Sequence, residues 1–193
     1  MPATRDQLAT AEVFSPLACF YKRPAQPPEG AFIDGEEMPQ PQRRLLVHCL
    51  DMTPMLAGFY GEPMALRVLD ATRTERLLIR KVVLFGTETG VRAEYGGIRI
   101  DLPSLPSPAR EAVVEGEEPL GGILKRLDLP HQSRPQGYFS ILADDEVGPA
   151  LGNEPGTRLF GRCNQLALSD GTIFAEVVEI LPDNGVSESR SRT

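Results

Sequence analysis

The chain has 193 residues, of which 41% are hydrophobic and 6% aromatic, so it is long enough for one domain with a mainly aliphatic core. Its 20 basic and 27 acidic residues give a net charge of −7, and an acidic chain without a basic cluster argues against nucleic-acid binding. It contains neither a signal peptide nor a run approaching the roughly 20 apolar residues of a membrane helix. We therefore expect a cytoplasmic protein without nucleic-acid or membrane partners.

Composition along the chain suggests three parts. Residues 1–44 form an N-terminal part, with a short helix over 1–13 and a Pro-rich stretch over 24–42 that predicts an irregular arm. Residues 45–182 carry regular apolar patterns and form the domain. Residues 183–193 are rich in Ser, Arg and Asn and predict a disordered tail. The arm has two open roles, covering a pocket or covering a sheet edge.

From residue 45 onward the apolar pattern predicts helices and hairpin-linked strands. Asp51 or Thr53 caps a short helix that Gly61 ends. Two later helices are expected at Ala109–Glu115 and Leu120–Leu127. The predicted strands are Met64–Leu69, Glu75–Phe85, Val91–Leu102, Gly137–Asp144, Arg158–Leu168 and Thr172–Leu181. Strands joined by hairpins, with the helices segregated, predict an α+β fold with a six-stranded antiparallel sheet.

Cysteines and histidines give no support for a metal site or a catalytic triad. Cys19, Cys49 and Cys163 are isolated and lack the spacing of a zinc site or a disulfide framework. The two histidines, His48 and His131, lie far apart in the sequence. We therefore expect no metal and no cofactor.

Single charged residues lie inside apolar strand patterns, where burial without a partner is costly. Arg80 shares a strand face with Leu78 and Val82, and Arg162 stands in a similar run. An arginine in a strand is often a snorkelling or edge residue, so this reading stays open. Glu176 and Glu179 lie three residues apart in one strand and therefore point to opposite faces, so at most one of them faces the core.

Five short segments occur in a fixed order in residues 45–182. They are Asp51-Met52-Thr53, Ile79-Arg80-Lys81-Val82-Val83-Leu84, Glu118-Pro119-Leu120-Gly121, Leu159-Phe160-Gly161-Arg162 and Glu179-Ile180-Leu181-Pro182. In order and approximate spacing they resemble the chorismate pyruvate-lyase family, the enzymes that make 4-hydroxybenzoate. The resemblance implies an antiparallel sheet with helices and flap-like loops over a closed ligand pocket.

The resemblance also implies site residues. Arg80 would bind the substrate carboxylate, and Met52, Leu120 and Gly121 would contact the ligand from the helix entry and a flap. The family's closing-strand glutamate stands four residues before proline.

In this chain Glu179 stands three residues before Pro182, and an unshifted alignment puts Val178 at the family position. Either a β-bulge brings Glu179 into the site or Glu176 takes its place; we favour Glu179.

The activity implied is a carbon–oxygen lyase reaction, the elimination of pyruvate from chorismate. Arg162 would compensate the second carboxylate of this dianion, and a buried glutamate would protonate the ether oxygen. Two alternatives stay open: an enzyme of the same fold acting on another carboxylated substrate, and a non-catalytic domain that binds a small aromatic or carboxylate ligand. This fold also occurs as the effector-binding half of certain transcription regulators. The sequence does not indicate an oligomeric state.

Overall fold

One antiparallel sheet brings together the parts of the chain that carry the predicted site residues. The computed structural model describes residues 14–21, 28 and 30–183. Within them the sheet has seven strands in the order β1-β5-β6-β7-β4-β3-β2. The strands are β1 Gly30–Ile33, β2 Met64–Arg73, β3 Leu77–Gly86, β4 Arg92–Asp101, β5 His131–Leu142, β6 Arg158–Leu168 and β7 Ile173–Leu181.

Short helices cover both faces of the sheet. The longer ones begin after extended residues and end at glycines with positive φ: α3 ends at Gly61 (φ 74°) and α4 at Gly116 (φ 75°). The helices are α1 Ser15–Ala18, α2 Gln42–Leu46, α3 Met52–Tyr60, α4 Ser107–Glu115, α5 Leu120–Arg126 and α6 Val147–Leu151. Two 3₁₀ turns, Gly35–Glu37 and Leu102–Ser104, complete the described elements.

The two faces of the sheet carry different cores. On one face, α1 and α6 pack on a cluster that includes Leu17, Phe139 and Val178. On the other face, α4 and α5 pack on a second cluster around Ile98, and α2 and α3 pack on a third around Leu84. These last two clusters lie side by side on the same face of the sheet. Where they meet, the ends of helices cover the sheet.

The predicted fold class is confirmed, with one strand more than expected. The extra strand, β1, lies in the Pro-rich stretch that was predicted to be irregular, and it pairs with β5 at the edge of the sheet. Strand β5 begins at His131 rather than Gly137, because Pro135 is accommodated at a register shift. The predicted helix over 1–13 lies outside the described residues, and so does the predicted tail over 183–193 except for its first residue. No helix of the described part is long and apolar enough to cross a membrane.

Gly161 of the Leu-Phe-Gly-Arg segment is required by close packing. A Cβ at this position would overlap the Phe139 ring and the carbonyl oxygen of Glu179. We expect Gly161→Ala to lower the free energy of unfolding by about 1–3 kcal/mol in urea titrations, because neither neighbour can withdraw without cost. The matched control is Gly58→Ala in α3, where a Cβ meets no atom within 4 Å; it should raise stability by about 0.5–1 kcal/mol. A neutral Gly161→Ala would contradict this packing.

Candidate functional site

A cavity of about 70 Å³ lies between the sheet and the first residues of α3 and α5. Strands β3, β4, β6 and β7 form its floor, and residues 51–53 and 119–121 form its roof. Much of its lining is aliphatic, namely Leu66, Val82, Leu84, Ile98, Leu166 and Val177. An apolar chamber with a few polar groups is the usual form of a small-molecule site.

The strand register places the polar residues of the floor. Arg80 on β3 and Asn164 on β6 lie in one row across the sheet, because both align through Ile98 and Val177. The adjacent row contains Glu179 on β7, which is paired directly with Arg162 on β6. The register thus places Arg80 and Arg162, which are 82 positions apart in the sequence, on the same face of the sheet in neighbouring rows.

Arg80 is a buried cation without a carboxylate partner in the described part of the chain. Arg80 is only 2% exposed. Its Nη1 donates a hydrogen bond of 3.1 Å to the carbonyl oxygen of Val113, near the end of α4. Its Nε has no hydrogen-bond partner there. Burial lowers the pKa of Arg80 to about 10, so the side chain stays protonated at neutral pH. A cation aimed into a cavity is therefore left largely unneutralised.

Arg162 is fully buried and is held entirely by protein groups. Its Nε donates to Glu179, and the two ends of its guanidinium donate to the carbonyls of Leu46 at 3.3 Å, His48 at 2.9 Å and Leu50 at 3.1 Å. Burial acts to lower the pKa of Arg162, but the charge and the hydrogen bond of Glu179, with smaller contributions from Glu94 and Tyr138, together outweigh it and raise the pKa. We call this arrangement the carbonyl clamp. It fixes residues 46–50, which lead directly into the roof of the cavity.

His48 completes the clamp as a neutral ring. Its Nε2 lies 2.7 Å from the carbonyl of Leu45, so it carries the proton and donates. Its Nδ1 then accepts from the Leu50 N–H at 3.1 Å and from Arg162 Nη1 at 3.2 Å. Burial and the charge of Arg162 both lower the pKa of His48. The ring of His48 therefore has a structural role, as an acceptor that helps to hold Arg162.

Glu94 and Asn164 were not singled out from the sequence, although both line the cavity. Glu94 on β4 is 4% exposed and its Oε2 has no partner among the described residues; the same holds for Asn164 Oδ1. Burial raises the pKa of Glu94 well above its usual range, with the charge of Glu179 adding to the effect and Arg162 opposing it. Glu94 could have been singled out from the sequence, because it is an acidic residue inside a predicted strand.

The residues predicted for the roof line the cavity. Met52 is 4% exposed at the start of α3, and Leu120 is 7% exposed at the start of α5. Gly121 lies against Thr53, because a Cβ on Gly121 would be 3.3 Å from the Thr53 hydroxyl oxygen. The two helix starts therefore pack closely where they meet above the sheet.

Of the two glutamates on β7, Glu179 lines the cavity and Glu176 does not. Glu176 is half exposed and forms an ion pair with Arg99 at 3.5 Å. The expected bulge is absent, because β7 pairs regularly with β4 and β6 from Ala175 to Ile180. Val178, which the unshifted alignment favoured, belongs to the core on the opposite face. Glu179 reaches the cavity by simple strand alternation.

At the rim of the cavity, Asp51 is tied to strand β5 by an ion pair. His131 Nε2 lies 3.0 and 3.1 Å from the two carboxylate oxygens of Asp51, and Nδ1 lies 2.9 Å from the carbonyl of Leu129. Burial opposes protonation of His131, but the bonds to Leu129 and Asp51 outweigh it and raise its pKa. The start of α3 is thus fastened from two sides, by His131 and by the carbonyl clamp.

Comparison with known proteins supports the fold. No protein-family model matches the sequence, and no curated protein matches it significantly. Among solved structures, PhnF from Mycobacterium smegmatis superimposes with a TM-score of 0.56 at 13% identity, covering 72% of this chain and 66% of PhnF. Its separately solved effector domain gives 0.53 at 13% identity, covering 69% of this chain and 89% of that domain. This chain therefore has the fold of the PhnF effector domain and spans slightly less than two thirds of PhnF.

A more distant likeness is to a GntR-family transcriptional regulator from Bacillus cereus, with a TM-score of 0.43 at 13% identity over 67% of this chain and 99% of that one. This score is too low to carry an argument. Of what the resemblance to the chorismate pyruvate-lyase family implied, the antiparallel fold is confirmed. The expected exclusion of nucleic acid as a partner gains no support from these comparisons.

The prediction of a carbon–oxygen lyase is wrong. The solved structures that resemble this chain with a TM-score above 0.5 include PhnF and its effector domain, which points away from a lyase. The site gives a physical reason. Glu179 was expected to donate a proton, but it accepts a hydrogen bond from Arg162. Arg162 was expected to compensate a second substrate carboxylate, but its charge is matched by Glu179 and it does not line the cavity.

The Arg162–Glu179 pair should dominate local stability. We expect Arg162→Met to lower the free energy of unfolding by about 3–5 kcal/mol, because it leaves Glu179 as a buried unpaired charge. The double variant Arg162→Met/Glu179→Leu should lose less than the sum of the two single variants. Arg99→Met is the matched control, since its half-exposed partner also lies on β7; it should cost less than about 1 kcal/mol. Equal losses in urea titrations would contradict the clamp.

The Asp51–His131 pair should make stability depend on pH. Because the folded-state pKa of His131 is raised, its contribution is complete below the unfolded value of about 6.5 and is lost as the pH rises through the folded value. We expect the stability difference between wild type and His131→Gln to be largest near pH 5.5 and to shrink by pH 8.5. Thermal unfolding across this range measures it, and Asp51→Asn should abolish the dependence. A difference that grows with pH would contradict the assignment.

Proposed function

We propose that this chain is a non-catalytic binding domain for a small organic acid, and that Arg80 receives the carboxylate of the ligand. The observation that carries the proposal is the state of Arg80: a 2% exposed guanidinium that lines a cavity and has no acidic partner among the described residues. The domain division inferred from the sequence is retained, with residues 45–182 as the binding domain and strand β1 added at its edge.

The electrostatic cost of Arg80 argues for an anion. A buried arginine normally has a carboxylate or several acceptors, since an uncompensated charge in a low-dielectric site is expensive. Here the guanidinium has one carbonyl acceptor, on Val113, while its Nε is unpartnered. The negative end of the α4 dipole offsets only part of the charge. A ligand carboxylate beside Nε would provide a charge-assisted hydrogen bond and neutralise the site.

The rest of the cavity suits a ligand with an apolar body and a second polar group. Aliphatic side chains such as Val82 and Ile98 line its centre. Away from Arg80, the oxygens Glu94 Oε2 and Asn164 Oδ1 are buried without partners in the described part of the chain. Buried polar atoms normally find partners, so these atoms favour a ligand that offers hydrogen bonds at both ends.

The structural neighbours support binding over catalysis. The PhnF domain that shares this fold is an effector domain by name, and we carry that role to this chain as a proposal. Occupancy of the cavity would then be sensed through its roof, since residues 51–53 follow directly from the carbonyl clamp. A ligand that contacts Glu179 would be linked to the carbonyl clamp by a single hydrogen bond, the one that Arg162 donates to Glu179.

A screen of organic acids by thermal unfolding tests the function. We expect a bound acid at about 100 times its Kd to raise the Tm by about 5–10 °C, as mass action requires. The screen includes benzoate, 4-hydroxybenzoate, butanoate and succinate at pH 7. Arg80→Gln should lose the shift because it removes the cation.

Arg99→Gln is the control for that variant, as a strand arginine whose charge is paired on the surface; it should keep the shift. Stabilisation that is equal in wild type and Arg80→Gln would contradict the proposal, and so would the absence of a shift with every acid.

A further inference from the structure

The charges around the cavity specify more than the presence of an acid. Three buried ionisable side chains line it in the described part of the chain, Arg80, Glu94 and Glu179, and the fully buried Arg162 lies behind Glu179. Arg162 and Glu179 neutralise each other within the carbonyl clamp. The cation at Arg80 and the carboxyl group of Glu94 are therefore the two groups left to meet the ligand. The charge states of these two side chains determine the net charge of the ligand that the cavity accepts.

Glu94 lies at the far end of the cavity from Arg80. Arg80 is paired with Ile98 in the register of β3 and β4, and Glu94 is paired with Leu84, four residues further along each strand. At about 3.3 Å per residue the two backbone positions are roughly 13 Å apart. An apolar stretch separates the two polar ends, so one ligand can be held at both.

Gly96 leaves room for the carboxyl group of Glu94. A Cβ on Gly96 would lie 3.1 Å from Glu94 Oε1, so the carboxyl group lies over the glycine on the cavity side. Its other oxygen, Oε2, has no partner in the described part of the chain. This arrangement presents an unsatisfied carboxyl group to the cavity, next to Glu179, which Gly96 faces across the β4–β7 pairing.

Among the described residues, two charged side chains act on Glu94, namely Glu179 and Arg162. Glu179 on β7 disfavours a second negative charge, and burial does the same. Arg162 on β6 opposes both effects but is already engaged by Glu179 and backbone carbonyls. Arg80 on β3 lies at the other end of the cavity. Both burial and the lack of a partner for Oε2 among the described residues favour the protonated form of Glu94, which has an O–H to donate.

We infer that the cavity selects monoanions: Glu94 acts as a neutral acid that hydrogen-bonds an uncharged polar group at the far end of the ligand, and no cation of the described residues is free there to accept a second carboxylate. This inference rests on the proposed function and adds the class of ligand. It departs from a two-carboxylate ligand such as chorismate, for which Arg162 would have to be available. The class is an organic monoacid with a hydroxyl, carbonyl or amide group opposite its carboxylate.

Two triads of matched probes test the inference by isothermal calorimetry at pH 7. The first is benzoate, 4-carbamoylbenzoate and terephthalate; the second is butanoate, succinamate and succinate. Within a triad the last two differ little in shape, but the amide is neutral and the second carboxylate is charged. In at least one triad we expect the monoamide to bind about tenfold more tightly than the unsubstituted acid, and the dicarboxylate at least about tenfold more weakly than the monoamide.

Variants of Glu94 separate its neutral and ionised roles. Glu94→Gln keeps an uncharged donor, so the monoamide should keep its advantage within about threefold. Glu94→Leu removes the hydrogen bond, so the advantage should disappear. Glu176→Gln and Glu176→Leu are the matched controls on the half-exposed acid outside the cavity, and they should change neither ratio. The Tm of each variant establishes that it is folded, and if Glu94→Leu is not, the wild-type ratios and Glu94→Gln decide.

The outcomes separate the two proposals. If benzoate or butanoate binds and requires Arg80, but the dicarboxylate equals its monoamide, the inference is wrong and the proposed function stands. The inference also fails if the monoamide advantage is lost in Glu94→Gln or survives in a folded Glu94→Leu. If no probe binds in an Arg80-dependent manner, the proposed function fails and the inference with it.

Discussion

The buried ion pair between Arg162 and Glu179 is the constraint on which the site depends. A fully buried guanidinium has to satisfy its donors inside the protein, and this one does so with one carboxylate and three backbone carbonyls of residues 46–50. The ordering of that loop is therefore a consequence of satisfying a charge. Because the loop continues into Asp51 and the start of α3, the same interaction fixes the roof of the cavity over the sheet.

The clamp also determines the electrostatics of the cavity. Glu179 and Arg162 face the same side of the sheet as Arg80, and without their mutual contact the site would hold two free cations and a free acid. Their pairing removes one of each and leaves Arg80 as the uncompensated charge. It also leaves Glu94 next to a negative neighbour; burial and that neighbour together raise the pKa of Glu94. A single ion pair thus sets both the shape of the roof and the charge that the cavity presents.

Strand alternation in the sequence predicted much of this arrangement, and pairing accounts for what it missed. Period-two patterns located the six predicted strands and placed Glu176 and Glu179 on opposite faces. They could not reveal that β1 pairs with β5, because that short strand owes its existence to a partner about 110 residues away. They also could not show that Arg162 is neutralised by Glu179, since which charges meet depends on strand register. Glu94 differs in this respect, because it is a charged residue inside a predicted strand and could have been singled out from the sequence, as Arg80 was.

A lyase with Glu179 as proton donor would conflict with the clamp. To donate a proton, Glu179 would first have to hold one, and a protonated Glu179 no longer balances the buried charge of Arg162. The loop over residues 46–50, and with it the start of α3, would lose the interaction that holds it at the moment of reaction. In a binding domain this coupling is useful, because a ligand that perturbs Glu179 changes the roof without any bond being broken. The geometry therefore favours reversible occupancy, in which the energy of the clamp links the cavity to the helix above it.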